Sequence, residues 1–210
     1  MSRFAGKYCN VKLSGTGVLT VGMATTDVGG LHTTYQTFGS GIARVFDPQA
    51  SVTVKKNAVA QSPSLYTVDR LFGRVTFGSA LLGTDVVTID ATVLPMTTVA
   101  GANGAEVSVN NTPIDATTFA SAGDMERAYG LRDSNGTVDR FFQADALFLT
   151  GLQAGTVMVV EFWRNATTVD WRSWALFNKS DNKAAVADLV GETVTFVSTK
   201  DADGRSVSFA

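Results

Sequence analysis

Residues 87–95 read VTIDATVLP, and this stretch indicates the fold class more clearly than any other. Apolar residues occupy every second position and polar residues lie between them: Val87, Ile89, Ala91 and Val93 alternate with Thr88, Asp90 and Thr92. Successive side chains of a strand point to opposite faces, so the pattern predicts a strand with one core face and one polar face. Pro95 ends the run, because proline has no N–H to donate to a neighbouring strand.

Two segments near the C-terminus follow the same rule. Val194 and Phe196 alternate with threonines, and Val207 and Phe209 alternate with serines. The dipeptide Asp203-Gly204 lies between the two runs and suits the positive φ of a tight turn. We therefore predict a C-terminal hairpin of these two strands.

A further strand is predicted from Thr156 to Arg164 (TVMVVEFWR), which is apolar on both faces. Such a strand is typical of the middle of a sheet that is covered on both sides. Trp171 and Trp174 follow it, and on a strand they point to opposite faces. One of them is then a core residue, and the other is either an interface anchor or a second core residue.

One segment departs from the β pattern. Residues 145–153 (DALFLTGLQ) place Phe148 and Leu152 at helical spacing, with Asp145 as a possible N-cap and Gly155 as a possible terminator. We predict a short helix here that buries its apolar side against a sheet.

The composition supports a mostly β chain, since Val and Thr each occur 26 times among the 210 residues. Both are β-branched and favour strands. The glycine-rich stretch from Gly29 to Gly41 (GGLHTTYQTFGSG) has no clear period and predicts a long loop or extended arm. We accordingly divide the chain into residues 1–43, an N-terminal strand with an arm, and residues 44–210, a β domain.

Charge excludes some functions and suggests others. With 17 Lys and Arg against 19 Asp and Glu, the net charge is −2, which disfavours gripping nucleic acid through its phosphates. Only 17% of the residues are charged, below the roughly 25% of typical soluble domains. The remaining surface is either rich in small polar residues or hidden in partners. Residues 1–105 carry +3 and residues 106–210 carry −5, which would favour head-to-tail contact between copies if the two halves lie at opposite faces of the molecule.

Few residues could carry chemistry. Cys9 and His32 are the only soft metal ligands, so a structural zinc site or a disulfide within one chain is excluded. Four carboxylates are closely spaced and suit solvated turns or contacts better than an acid–base pair: Asp115, Asp124, Glu126 and Asp133. We predict no catalytic, cofactor-binding or metal-binding residue, and we do not expect an enzyme.

The N-terminal sequence lacks the apolar core and cleavage signal of a secretory leader, and no stretch reaches the ~18 apolar residues of a membrane span. We expect synthesis in the cytoplasm and no association with a membrane.

The order of motifs in the second half resembles the tail tube (major tail) proteins of long-tailed bacteriophages. It runs through a D-x-T-x-F motif at Asp115–Phe119, Gly123-Asp124, G-L-x-D at Gly130–Asp133, a strand, the helix and another strand. Residues 44–77 also resemble the strand-turn-strand units of phage tail structural proteins. The insertion Ala120-Ser-Ala122 departs from the pattern.

The resemblance implies a β-sandwich or partial barrel flanked by a short helix. It also implies homo-hexameric rings, stacked head-to-tail into a tube in the virion, for which the protein is made in the host cytoplasm. DNA would pass through the lumen without specific binding, and tape measure, tail terminator and baseplate proteins would be partners. By analogy, residues 29–41 and 115–127 would make contacts between subunits and rings.

Two alternatives stay open. The chain could be another β-fold virion component, such as a tail terminator, a baseplate protein or a capsid decoration protein. It could also be a carbohydrate-binding β-sandwich or a carboxylate hydrolase that uses Asp124 or Glu126.

Overall fold

The computed structural model describes residues 10–39, 42–115, 117, 125, 127–141, 147–165, 167–183, 190–204 and 207–209. Within these ranges the chain is mostly β-sheet and contains one short α-helix. The predicted all-β class with a single flanking helix is confirmed.

Thirteen short strands occupy the described part of the first 99 residues, and a 3-10 turn at Pro63–Leu65 lies among them. They are β1 (Asn10–Ser14), β2 (Val18–Ala24), β3 (Thr26–Asp27), β4 (Thr34–Gln36), β5 (Phe38–Gly39), β6 (Ile42–Ala43), β7 (Val45–Phe46), β8 (Thr53–Lys56), β9 (Val59–Ala60), β10 (Tyr66–Asp69), β11 (Arg74–Phe77), β12 (Val87–Leu94) and β13 (Met96–Thr98).

The described elements of the second half are longer. They are β14 (Ala102–Asp115), β15 (Arg127–Phe141), α1 (Leu147–Ala154), β16 (Met158–Trp163), β17 (Val169–Lys183), β18 (Gly191–Ser198) and β19 (Val207–Phe209).

The chain divides into two compact units. The first comprises Met1–Val99, Val157–Ala175 and Thr199–Ala210, and the second comprises Ala100–Thr156 and Leu176–Ser198. The predicted boundary after residue 43 therefore falls inside the first unit. β17 contributes residues to both units, because the division comes between Ala175 and Leu176.

The first unit contains a β-sandwich. One sheet has the order β2-β12-β8-β9, with β7 also paired to β12, and the other has the order β10-β11-β4-β3. Their facing side chains form one core: Met23, Tyr35, Phe46, Val54, Tyr66, Val75, Phe77, Val87, Ile89 and Ala91. The alternation that predicts β12 is confirmed, since three of its apolar residues lie in this core.

A second core cluster in the first unit contains Val159 of β16 and Trp174 of β17, together with Val45, Leu71 and Leu94. β16 lies between β1 and β17, which confirms that this apolar segment is a central strand. Trp163, Trp171 and Trp174 are all buried. Burial favours core packing over an interface role for both Trp171 and Trp174.

A buried ion pair lies in this part of the first unit. The Glu161 carboxylate binds the Arg172 guanidinium and also accepts a hydrogen bond from Trp163 Nε1 at 2.8 Å. Arg172 in addition donates to the carbonyl of Leu71. Its pKa is lowered chiefly by burial, while the Glu161 charge opposes that shift. The pair replaces the lost hydration of both charges with protein partners.

The second unit is a sheet of order β17-β18-β15-β14, with α1 packed on one face. Phe148 of α1 is fully buried, and its ring meets the Phe177 ring edge-on with centroids 5.3 Å apart. Gly155 follows the helix at φ +59°, a left-handed conformation that often ends helices. The predicted helix is confirmed, although its proposed cap Asp145 lies outside the described residues.

A second buried ion pair lies beneath α1. Arg140 Nε lies 2.6 Å from Glu192 Oε2, and Ser180 Oγ donates to Glu192 Oε1 at 2.8 Å. The Arg140 guanidinium is 4.6 Å from the centroid of the Phe148 ring. The ring therefore covers a charged network as well as the apolar face of the sheet.

The prediction of a C-terminal hairpin is wrong. β19 pairs with β17, so that Trp171 lies opposite Phe209 and Ser173 opposite Val207. The reason is that β18 already has β15 on one side and β17 on the other, which leaves no free edge for β19. Asp203-Gly204 does form a turn, with Gly204 at φ +80°. Val194 and Phe196 of β18 are buried as expected.

Residues 29–41, predicted as a long loop or extended arm, include both loop and short strands where the structure describes them. Residues 34–36 form β4, paired with both β3 and β11, and the Tyr35 side chain is buried in the sandwich core. This strand has only three residues, so its alternation of side chains cannot be recognised among the surrounding glycines and threonines. Residues 40 and 41 lie outside the described ranges.

Candidate assembly surfaces

The first candidate surface is the outer edge of β2. Among the described strands β2 pairs only with β12, so its other edge has no strand partner. Leu19 is 68% exposed and Val21 is 64% exposed, and Val18 is exposed to a similar degree. An unpaired edge offers backbone N–H and C=O groups to another strand. β2 contains none of the charges or prolines that protect many such edges, and its protective feature is a β-bulge.

A β-bulge interrupts β2 at Gly22. Val21 and Gly22 together face Asp90 of β12, and Gly22 has φ +68°. The Gly22 N–H donates to Asp90 Oδ1 at 2.7 Å, and Lys55 Nζ lies 2.6 Å from Asp90 Oδ2. Two hydrogen bonds hold the pKa of Asp90 below its usual value: the bond from Lys55 contributes most, and the bond from the Gly22 N–H contributes next. The carboxylate that fixes the bulge is thus ionised at neutral pH.

The second candidate surface lies where several loops of the first unit meet, and we name it the loop end. Its large apolar side chains are 53–73% exposed. They are Leu31, Val59, Leu65, Leu82 and Val86. Of the thirteen large apolar side chains that the described part of the chain exposes, eight lie at the β2 edge or the loop end.

Backbone hydrogen bonds from residues 78–86 connect these loops. The Leu81 N–H donates to the His32 carbonyl at 2.8 Å, and the Gly78 N–H donates to the Leu65 carbonyl at 3.1 Å. The Val86 carbonyl accepts from the Asn57 N–H at 2.8 Å. The exposed side chains therefore lie on loops that are connected to one another by backbone hydrogen bonds.

Charges at the loop end have local partners. Asn57 Nδ2 donates to Asp85 Oδ1 at 2.7 Å, and the Leu82 N–H donates to Asp85 Oδ2 at 3.0 Å. These two bonds are the main reason that the pKa of Asp85 lies below its usual value. His32 Nδ1 lies 2.9 Å from Asp27 Oδ2. Docking of an apolar partner here would separate few charges from their counterparts.

The segments that the resemblance singled out are placed only in part. Within residues 29–41, Leu31 belongs to the loop end, whereas Tyr35 belongs to the core. Within residues 115–127, the described Asp115, Thr117 and Met125 are exposed. The carboxylates Asp124 and Glu126 lie outside the described residues.

Several polar and acidic side chains outside these two surfaces have structural partners. Ser180 binds Glu192, as described above, and Asp203 forms an ion pair with Arg70 at 2.9 Å. Asp201 Oδ1 accepts from the Asp203 N–H at 3.0 Å, as in an ordinary turn. Over the residues that the structure describes, no group of three or more His, Cys, Asp or Glu side chains could hold a metal ion.

One face of the second unit's sheet is polar. Ser108, Asn135, Thr137 and Thr195 line a shallow depression of about 350 Å³ on this face, together with the carboxylate of Glu106. Asp139 lies on the same face and accepts from Thr193 Oγ1 at 2.6 Å. The described residues that line this depression include no Lys or Arg.

No protein-family model matches the chain, and no curated protein matches it either. Among solved structures, the chain is similar to a chain in the tail of an empty gene transfer agent particle, computed with helical refinement and C6 symmetry. The identity is 15%, the TM-score is 0.46, and the match covers 55% of this chain and 86% of that one. It is also similar to a chain in the virion of a native gene transfer agent particle. There the identity is 16%, the TM-score is 0.45, and the match covers 55% and 88%.

Within the described residues no helix has the length and apolar character that crossing a membrane requires.

Proposed function

We propose that this protein is a structural component of a bacteriophage or phage-like particle and that it acts by self-assembly. Copies associate side by side into rings through the β2 edge, and the rings stack through the loop end into a tail tube for DNA ejection. The observation that carries the proposal is the open β2 edge with its exposed Leu19 and Val21. In this proposal the protein is not an enzyme and needs no cofactor.

Two separate apolar surfaces support an assembly with two kinds of contact. A heterologous contact that closes gives a ring, and a second one that does not close gives a filament. The sequence resemblance adds two further points to the proposal. Each ring contains six copies, and the tube contacts tape measure, tail terminator and baseplate proteins. The assembled tube would reside in the virion.

The polar face of the second unit suits the lumen of such a tube. Its Ser, Thr and Asn side chains carry no positive charge, and Glu106 and Asp139 add negative charge. A basic wall would hold DNA through its phosphates, whereas this face would let DNA slide.

Replacing Leu19 by lysine tests the lateral contact. The side chain is 68% exposed, so the fold should persist, while a charge at the edge should oppose addition of a strand. We expect the parent protein to form tubes as its concentration rises, and the Leu19→Lys variant to remain monomeric. Sedimentation velocity and negative-stain electron microscopy measure both outcomes.

Thr76→Lys is the matched control for this experiment. Thr76 is exposed on β11, and both edges of β11 are paired, one with β10 and the other with β4. The Thr76→Lys variant therefore adds the same charge away from an open edge. This variant should assemble like the parent. A parent protein that stays monomeric at every concentration, or that binds a sugar as a monomer, would overturn the proposal. Isolated rings without stacking would favour a tail terminator, baseplate or decoration protein.

Replacing Leu82 by aspartate tests the axial contact. Leu82 is 71% exposed at the loop end, so an acidic side chain there should weaken stacking without disturbing the core. We expect rings to form but not to join into tubes, with Thr76→Asp as the control. Tubes of parental length in the Leu82→Asp variant would remove the loop end from the proposal.

A further inference from the structure

We propose that β2 of one copy pairs with β14 of the next copy, so that neighbouring copies share an intermolecular β-sheet. This inference rests on the proposed self-assembly and names the two strands that make the lateral contact.

The two strands have the longest open edges in the described part of the chain. β14 extends over 14 residues and pairs only with β15 among the described strands. β2 has 7 residues and pairs only with β12. Every other described strand with a single partner has four residues or fewer. Since an added strand is held by its backbone hydrogen bonds, longer edges form the more stable pair.

The side-chain rows of the two strands match. In β14, Ala105, Val107 and Val109 share one row, and Glu106, Ser108 and Asn110 share the other, because successive residues alternate between faces. In β2, Leu19 lies opposite Thr92, on the face away from the buried Ala91. Pairing can therefore place Leu19 beside the apolar row of β14, where cross-strand apolar contacts contribute to stability.

Charge favours contact between unlike units of two copies. The first unit contains 12 Lys and Arg and 9 Asp and Glu, a net charge of +3. The second contains 5 and 10, a net charge of −5, and the two values together give the −2 of the whole chain. Contact of a first unit with the second unit of the next copy therefore joins opposite charges, whereas contact of like units joins like charges.

The strands themselves add no repulsion. β2 has no ionisable side chain, and Glu106 is the only one between Ala102 and Asn110 of β14. A pair of β2 strands from two copies would avoid charge clashes as well, but it would bring together two units of net charge +3. The charge distribution thus selects β14 over a second β2.

Disulfide cross-linking between two singly substituted proteins tests the pairing. In a Cys9→Ser background, one protein carries Leu19→Cys and the other carries Ala105→Cys, Val107→Cys or Val109→Cys. Opposed residues of paired strands lie close enough at Cα for a disulfide to span, about 4.5–5.5 Å apart where the pair is antiparallel. After assembly from a mixture and mild oxidation, we expect a cross-linked dimer of the two different proteins with at least one of the three β14 positions. Replacing the β14 partner by a Thr76→Cys protein should abolish that dimer.

Each single variant is first assembled alone under reducing conditions and viewed by electron microscopy. Assemblies that give no cross-link to β14, or that give only Leu19→Cys homodimers, overturn the pairing and leave the proposed self-assembly in place. If neither the parent nor any variant assembles at any concentration, the proposed function fails, and the pairing fails with it.

Discussion

Replacing Arg172 by methionine is expected to lower the free energy of unfolding by about 3–5 kcal/mol, the usual cost of breaking a buried pair from one side. Glu161 is fully buried, and its charge is balanced by the Arg172 guanidinium. Methionine fills part of the space of the Arg172 side chain but carries no charge to balance Glu161. The Glu161 carboxylate then keeps its hydrogen bond from Trp163 Nε1 and loses its counter-ion. Urea denaturation of the Leu19→Lys background, which we expect to be monomeric, measures the change.

The double variant Glu161→Leu/Arg172→Met is the control for this prediction. Replacing both members of a buried pair with apolar side chains is often neutral or stabilising. We therefore expect the double variant to regain most of the stability that the single variant loses. A single variant within 1 kcal/mol of its parent, or a double variant as unstable as the single one, would contradict this account of the pair.

Replacing Phe148 by alanine is expected to cost about 3–5 kcal/mol, as for other large-to-small changes in cores. The ring fills the space between α1 and the sheet, contacts the Phe177 ring and covers the Arg140 guanidinium. Alanine would leave a cavity and would open the Arg140–Glu192 pair to water. Denaturation, together with hydrogen exchange of the β15 and β18 amides in the second unit, measures the effect.

Phe148→Leu keeps most of the buried volume and serves as the matched control, with an expected loss below about 1.5 kcal/mol. Equal losses for the alanine and leucine variants would show that ring contacts rather than volume dominate. A negligible loss for alanine would mean that α1 does not hold this face of the sheet.

Features that depend on local pattern were predictable. The strict alternation of residues 87–93 specified both the strand and its buried face, and helical spacing with Gly155 located α1. An apolar run without alternation marked β16 as central. Each of these signals lies within fewer than a dozen consecutive residues.

Pairing over long sequence distances was not predictable. β19 follows β18 and alternates like it, yet it pairs with β17, because strand composition does not record which edges are free. The β2 edge was missed for the same reason. Its sequence VLTVGMA was a visible signal, since it has no charged residue to protect an edge. The buried pair of Glu161 and Arg172 was signalled only by a carboxylate within an apolar run.

If copies join through the β2 edge as proposed, the bulge at Gly22 affects how the assembly grows. It divides the regular register of β2 with β12 into Val18–Thr20 and Met23–Ala24, so one docking event gains fewer backbone bonds than an unbroken strand of the same length would give. A misplaced copy held by so short a contact dissociates readily, whereas a correctly seated copy is retained by neighbours on several sides, as in any multivalent system. Growth of the proposed assembly would therefore be self-correcting.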